Sequence, residues 1–98
     1  LAISSEERLP GVDVPTFREL GVDVAMSNWR GFLAAPGVSE EALAEFVAIV
    51  TEMRDSAEWQ ETLTRNDWTD SFLTGEEFEQ YIADESAVAE DIVEDLGL

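Results

Sequence analysis

The sequence predicts a small α/β fold in which a few short strands accompany amphipathic helices. Strand-like runs occupy residues 1–4 and 22–34, and the second begins with alternating apolar and polar residues. Hydrophobic residues recur with helical spacing from residue 40 onward and again after Thr74. A sheet with so few strands is too small to be stable alone, so we expect partner strands outside these residues. The opening "LAISS" resembles a strand already under way, and we interpret the chain as a piece of a longer protein.

The composition argues against several classes of binding partner. The chain has 98 residues, of which 23 are Asp or Glu, and its net charge is -18. Its five basic residues are all arginines, and a surface this acidic repels phosphate groups, so we expect neither nucleic acid nor an anionic membrane as a partner. We favour a solvated surface, which a salt-adapted source would also produce, over a functional use of the acidity. No run of 18 apolar residues is present, so no membrane insertion is expected in this segment.

The stretch "RLPGVDVPTFRELG" predicts a turn followed by a short helix at residues 15–20. Pro15 suits the first helical position, with Asp13 or Val14 near the cap. Gly21 stands where a helix end favours a left-handed residue.

Two capped helices are predicted in the middle of the chain. Ser39 is a good N-cap for a helix over residues 40–54, and Arg54 in the last turn complements the helix dipole. Ser56 can cap a further short helix at residues 57–65. A short strand or an extended loop follows.

The sequence Thr74-Gly75-Glu76-Glu77 matches a capping box. The helix after it should run to about Asp95 and end at Gly97. Its apolar face comprises Phe78, Tyr81, Ile82, Val88, Ile92 and Val93.

The residues offer little chemistry for catalysis. With no His and no Cys, the chain holds no Ser-His-Asp triad, no thiolate nucleophile and no disulfide. The many carboxylates of the last helix lie opposite its apolar face, so we favour a solvated surface over a metal site or an acid–base pair. We expect no enzyme activity, no metal and no cofactor.

Trp29 and Arg30 allow two interpretations. Together they could stack on and clamp a carboxylate ligand, because Arg makes paired hydrogen bonds to carboxylates. Alternatively, Trp29 packs in the core and Arg30 pairs with one of the many acids. We favour the second interpretation.

The order of several short motifs resembles the substrate-binding receptors of tripartite tricarboxylate transporters, in their C-terminal part. The motifs are Ser4-Ser5, Glu7-Arg8-Leu9-Pro10, Asp13-Val14-Pro15-Thr16 with Glu19 and Gly21, Trp29-Arg30-Gly31 with Ala35-Pro36-Gly37, and "LTGEEFEQYIADE". Any one of them is weak, but their ordered combination covers essentially the whole chain.

This resemblance implies the C-terminal portion of a two-lobed, periplasmic-binding-protein-like (type II) fold. Residues 1–26 would end one lobe, residues 27–38 would form the crossing segment, and residues 39–98 would be the C-terminal helices of the other lobe. The implied function is that of an extracytoplasmic receptor. It would capture small organic acids, such as di- or tricarboxylates, and pass them to the membrane subunits of a secondary transporter.

The resemblance also implies candidate ligand-binding positions. Ser4 and Ser5 would face the cleft between the lobes at a strand end, where α/β folds bind their ligands. Asp13 and Thr16 would lie beside the cleft, and Trp29 would sit at the lobe crossing.

A second function is left open by the residues. The chain could be a self-contained acidic helical interaction domain that docks a basic protein partner. Because we interpret the chain as a fragment, an exposed edge of its incomplete sheet could pair with a second copy, so a dimer could arise from truncation.

Overall fold

The computed structural model describes all of residues 1–98 and contains three α-helices, one 3-10 helix and no β-strand. The 3-10 helix spans Arg18–Leu20, α1 spans Glu40–Asp55, α2 spans Ala57–Arg65 and α3 spans Gly75–Asp95. The chain divides into two compact units, Leu1–Leu33 and Ala34–Leu98.

The first unit is organised around Ile3. Its backbone N–H donates to the Pro15 carbonyl at 3.0 Å, and the Phe17 N–H donates to the Ile3 carbonyl at 3.1 Å. These two bonds form an isolated parallel bridge between Ile3 and Thr16. The bridge ties the start of the chain to the stretch just before the 3-10 helix.

A second extended stretch lies beside Ser4. The Met26 N–H donates to the Ser4 carbonyl at 2.8 Å, and the Ser4 hydroxyl donates to the Met26 carbonyl at 2.9 Å. Neither residues 1–4 nor residues 22–34 form a strand, because a strand needs a repeated ladder and these two stretches share only one backbone–backbone hydrogen bond. The predicted sheet is therefore not present within these residues, and the α/β class remains a prediction about the larger fold.

The helix predicted at residues 15–20 is shorter than expected and begins later. Pro15 does not start it, since the Pro15 carbonyl is engaged by the extended segment at Ile3. Gly21 ends the 3-10 helix as predicted, with φ of 85°, and its N–H donates to the Arg18 carbonyl at 3.0 Å. This left-handed conformation is one that glycine adopts without steric cost.

In the second unit, the predicted caps of α1 and α2 are confirmed. The Ser39 hydroxyl accepts a hydrogen bond from the Ala42 N–H at 3.2 Å, and the Ser56 hydroxyl accepts one from the Trp59 N–H at 3.2 Å. Both serines have extended backbone conformations typical of an N-cap. Sequence alone therefore located the starts of both helices.

The start of α3 differs from the prediction in its bonding. Thr74 is the N-cap residue, but its side chain makes no capping hydrogen bond, so the predicted capping box is not formed. Gly75 has φ of 58°, which turns the chain away from helical geometry at this point. The end of α3 is as predicted: Gly97 is left-handed, and the Leu98 N–H donates to the Val93 carbonyl at 3.1 Å.

Very little apolar surface is buried in either unit. Leu63 of α2, at 8% exposure, is the only buried hydrophobic side chain. The apolar face of α3 is half-buried at Phe78, Tyr81 and Ile82, but Val88, Ile92 and Val93 are exposed. Burying one Leu contributes about 2 kcal/mol, whereas ordering a single residue costs about 1–2 kcal/mol. The exposed apolar faces are thus available for contacts that these residues do not make among themselves.

No helix has the length and apolar character needed to cross a membrane.

Candidate functional site

Thr16, just before the 3-10 helix, and Glu19, within it, form a reciprocal capping pair. The Thr16 N–H donates to Oε2 of Glu19 at 2.8 Å, and the Glu19 N–H donates to Oγ1 of Thr16 at 3.2 Å. This is the bonding of a capping box. Thr16 is only 1% exposed, and it is the one fully buried side chain of the protein. The bonds fix the backbone between Pro15 and Glu19.

Arg8 joins this capping pair to Asp13. Its Nε donates to both carboxylate oxygens of Glu19, at 2.9 and 3.0 Å. One of its terminal nitrogens, Nη1, lies 3.1 Å from Oδ1 of Asp13. A single guanidinium therefore holds two carboxylates, one on each side of Val14 and Pro15. We call Arg8, Asp13, Thr16 and Glu19 the Arg8 network.

The Arg8 network stabilises the charged form of Glu19. The pKa of this carboxyl lies below its ordinary value, first because the Thr16 N–H donates to it and also because Arg8 is adjacent. Desolvation raises the pKa and is second in size to the Thr16 N–H bond, but the bonds from Thr16 and Arg8 together outweigh it. These bonds therefore favour the ionised carboxylate, the form that accepts the hydrogen bond from the Thr16 N–H.

The two candidate serines use their hydroxyl protons within the chain. Ser4 donates to the Met26 carbonyl at 2.9 Å, and Ser5 donates to the Glu7 carbonyl at 2.6 Å. Both side chains are half-buried. Because a hydroxyl oxygen also has acceptor capacity, each serine could still accept a hydrogen bond from a ligand.

Beside Arg8 lies an open hollow of about 380 Å³. Its lining residues are Arg8, Leu9, Gly11, Val12 and Asp13. The side chain of Asp13 is fully exposed, while that of Arg8 is 47% exposed. The hollow thus carries one cation and one anion that are already paired with each other.

Trp29 lies half-buried in the first unit, and Arg30 is exposed. Arg30 donates from Nη1 to Oδ1 of Asn28 at 3.1 Å, and ion pairs form instead at Arg8, Arg18 and Arg54. The expectation that Arg30 pairs with an acid is therefore wrong. Asn28, two residues earlier in the sequence, accepts a hydrogen bond from Arg30 instead.

The structure brings some of the candidate site residues together and leaves others apart. Asp13 and Thr16 belong to one network, and Ser4 directly follows Ile3, which is bridged to Thr16. The hydroxyl of Ser5 is turned to its own loop. Sequence reasoning did not select Arg8 or Glu19 as site residues, although the spacing Thr-x-x-Glu is a capping signature that could have indicated Glu19.

The carboxylates of α3 are largely solvated, as the sequence predicted. Those at the exposed positions are Glu76, Glu77, Glu79, Asp84, Glu90, Asp91, Glu94 and Asp95. Glu85 is half-buried near Tyr81, whose phenol has its pKa raised by desolvation and by the negative charge of Glu85.

Comparison with known families defines the class of this protein as a receptor. A scan against family models matches the tripartite tricarboxylate transporter family receptor over residues 1–98. Receptors of this kind are binding proteins and not enzymes. No curated protein and no solved structure matches the chain.

The chain belongs to the tripartite tricarboxylate transporter receptor family. The resemblance drawn from its motifs is confirmed along its whole length. Membership implies a periplasmic-binding-protein-like fold, of which these residues contribute helices and one bridged pair of extended segments.

Proposed function

We propose that the protein is an extracytoplasmic solute-binding receptor that captures small organic acids, such as di- or tricarboxylates, for a secondary tripartite transporter. The observation that carries this proposal is the match to the receptor family over residues 1–98. Membrane subunits of the transporter would receive the ligand. The protein itself would act by binding, without a cofactor.

The geometry of the first unit supports a binding role for the candidate residues. Ser4 and Ser5 present half-buried hydroxyl oxygens at the end of the bridged segment. Such groups, with nearby backbone N–H groups, can hold an anion even on a protein of strongly negative net charge, because the local dipoles make the site. Trp29 would supply an apolar wall. Asp13 and Thr16 would border the site.

The unburied apolar surface supports a role within a larger assembly. On α1, Leu43, Ile49 and Met53 are all exposed, with Ile49 at 64%. Monomeric soluble proteins rarely expose large contiguous apolar patches. We propose that residues 39–98 contribute C-terminal helices to one lobe of the receptor, residues 1–26 end the other lobe, and residues 27–38 cross between them.

Thermal-shift measurements test the ligand class. The protein encoded by the complete reading frame would be titrated with succinate and citrate, because a ligand that binds only the folded form raises the melting temperature. The corresponding amides and sodium chloride at matched ionic strength serve as controls, since a net charge of -18 responds to salt alone. If organic acids across a broad panel raise the melting temperature no more than salt does, the carboxylate assignment fails.

A matched pair of tryptophan variants tests the proposed wall. Trp29→Ala should weaken binding of any acid that gives a shift, because it removes apolar contact area at the site. Trp68→Ala is the control, since Trp68 is 54% exposed in the other unit. Equal affinity in both variants would remove Trp29 from the site.

The alternative function, an acidic domain docking a basic protein, gives a different outcome in the same experiments. It predicts no shift with any organic acid and a salt-sensitive association with a basic protein. The exposed apolar residues of α3 would then form the contact. A clear shift with an organic acid would favour the receptor.

A further inference from the structure

We propose that Arg8 and Glu19 are positioning residues, which hold the loop from Asp13 to Thr16 in the shape needed to border the ligand. This inference rests on the proposed receptor function. Both side chains are engaged in bonds within the Arg8 network, so we assign them a supporting role and not a direct contact with the ligand.

Thr16 is enclosed and engaged by Glu19. Its N–H is used by Glu19, its hydroxyl oxygen accepts from the Glu19 N–H, and its side chain is 1% exposed. A group so enclosed cannot reach a ligand without unfolding its own loop. Thr16 therefore acts through the shape of the loop.

Arg8 fixes the orientation of the Glu19 carboxylate. A glutamate side chain has several rotatable bonds, and ordering it costs conformational entropy. The Nε of Arg8 lies 2.9 and 3.0 Å from its two carboxylate oxygens, which fixes the orientation of the carboxylate toward the Thr16 N–H. The lowered pKa of Glu19 agrees with this arrangement.

Arg8 also links Glu19 to Asp13. The same guanidinium reaches Oδ1 of Asp13 at 3.1 Å, so Arg8 holds the Asp13–Thr16 loop directly at Asp13 and, through Glu19, at Thr16. Lysine cannot reproduce this, because its ammonium is a single point charge without a fork of donors. Supporting residues of this kind decide whether a binding site keeps its geometry.

The far end of the loop is already anchored to the bridged segment. Pro15 and Phe17 make backbone bonds to Ile3, the residue that precedes Ser4. A change in the loop would therefore be transmitted toward the hydroxyls of Ser4 and Ser5. This is why the Arg8 network should affect ligand affinity and not only stability.

The test compares Arg8→Lys with Arg18→Lys in the protein from the complete reading frame. Arg18 is a close match: its side chain is also 47% exposed, and it pairs with two carboxylates, at 3.1 Å with Asp23 and at 3.5 Å with Glu6. None of these bonds of the Arg18 side chain involves Glu19 or Thr16. Affinity for the acid with the largest thermal shift would be measured by calorimetry, well below the melting temperature of each variant.

We expect Arg8→Lys to weaken binding about tenfold, as loss of preorganisation does, while Arg18→Lys leaves affinity unchanged. Because only folded protein is titrated, a purely stabilising role would lower the melting temperature without changing the dissociation constant. That result, unchanged affinity in Arg8→Lys, would overturn the inference and leave the receptor function intact.

A second variant, Glu19→Gln, tests the same interaction if Arg8→Lys does not fold. Glu19→Gln keeps a side chain that can serve in a capping box but removes the charge that Arg8 holds. It should also weaken binding, and Arg8→Lys combined with Glu19→Gln should lose less than the sum of the two losses, because both act on one interaction. Additive losses would contradict the shared role. If the unsubstituted protein binds no organic acid, the proposed function fails, and this inference falls with it.

Discussion

The guanidinium of Arg54, in the last turn of α1, binds the carboxylate of Asp70 in the loop that precedes α3. Nε and Nη2 of Arg54 lie 3.0 and 2.9 Å from Oδ2 of Asp70, and Nη1 lies 2.9 Å from Oδ1 of Asp55. The guanidinium carbon is also 5.6 Å from the centre of the Phe72 ring. These contacts raise the pKa of Arg54, with Asp70 as the largest cause. One side chain thus fastens the loop after α2 to the end of α1.

We predict that Arg54→Ala lowers the melting temperature by a few degrees and loosens the loop at residues 66–74. The loop would lose both its ion pair and its cation–π contact, which are individually modest at solvent-exposed sites. Hydrogen exchange of the loop amides measures the loosening. Arg65→Ala is the control, since Arg65 also lies in the last turn of a helix but takes part in none of the ion pairs. Equal effects of the two substitutions would refute the special role of Arg54.

Ser56 connects α1 to α2 with two hydrogen bonds. Its hydroxyl accepts from the Trp59 N–H and donates to the Met53 carbonyl at 2.6 Å. We predict that Ser56→Ala lowers the free energy of unfolding by about 1 kcal/mol, the usual cost of a lost N-cap. Urea denaturation measures the change. Ser86→Ala, at an exposed position inside α3, should be neutral or slightly stabilising, because Ala favours helix.

Gly21 and Gly31 provide a matched test of backbone conformation in the first unit. Gly21 has φ of 85°, whereas Gly31 is the one glycine without a positive φ. An added methyl group meets no atom at Gly21 within 4 Å, so any cost comes from the backbone alone. We predict that Gly21→Ala reduces the unfolding free energy by about 1–2 kcal/mol, while Gly31→Ala has no such cost. Urea denaturation distinguishes them, and equal losses would contradict this account.

The lowered pKa of Glu19 predicts a pH dependence of stability. Folding lowers this pKa below its ordinary value of 4.5, so the stabilisation is fully present above that pH and is lost as pH falls through the folded value. The stability difference between the unsubstituted protein and Glu19→Gln should therefore shrink on acidification below pH 4.5. Urea denaturation at several pH values measures it.

Tyr81 gives a spectroscopic test at alkaline pH. It is the only tyrosine of the 98 residues, and desolvation followed by the charge of Glu85 raises its pKa above 10.0. Phenolate absorbance should therefore appear at higher pH in the folded protein than in urea. The stabilisation that comes from the raised pKa of Tyr81 is present below pH 10.0 and is lost as pH rises through the pKa of the folded state.

Glu85→Gln separates the two causes of the Tyr81 shift. It should bring the pKa partly back toward 10.0, because desolvation, the larger cause, remains. Glu79→Gln, at an exposed position on the same helix, should leave the titration curve unchanged. A full return to the ordinary value in Glu85→Gln would show that desolvation is not the main cause.

The helices of the second unit were predictable because their signals are local. Ser39 and Ser56 cap α1 and α2 through bonds to residues three positions later, and Gly97 ends α3 with a left-handed turn. The capping box at Thr74 was predicted and is not formed, since Gly75 adopts φ of 58°. Sequence spacing can indicate a cap, but it does not specify the backbone angle between the partners.

The sequence by itself determined the positions of α1, α2 and α3, the solvated acidic surface and the family, because these depend on spacing and on ordered short motifs. Only the tertiary structure showed that Arg8 and Glu19 hold the Thr16 loop, since their contact joins residues eleven positions apart. It also showed that the Pro15 carbonyl accepts a hydrogen bond from the Ile3 N–H and that Pro15 does not start a helix. Bonds between distant segments depend on how the chain returns on itself, and no local pattern encodes that return.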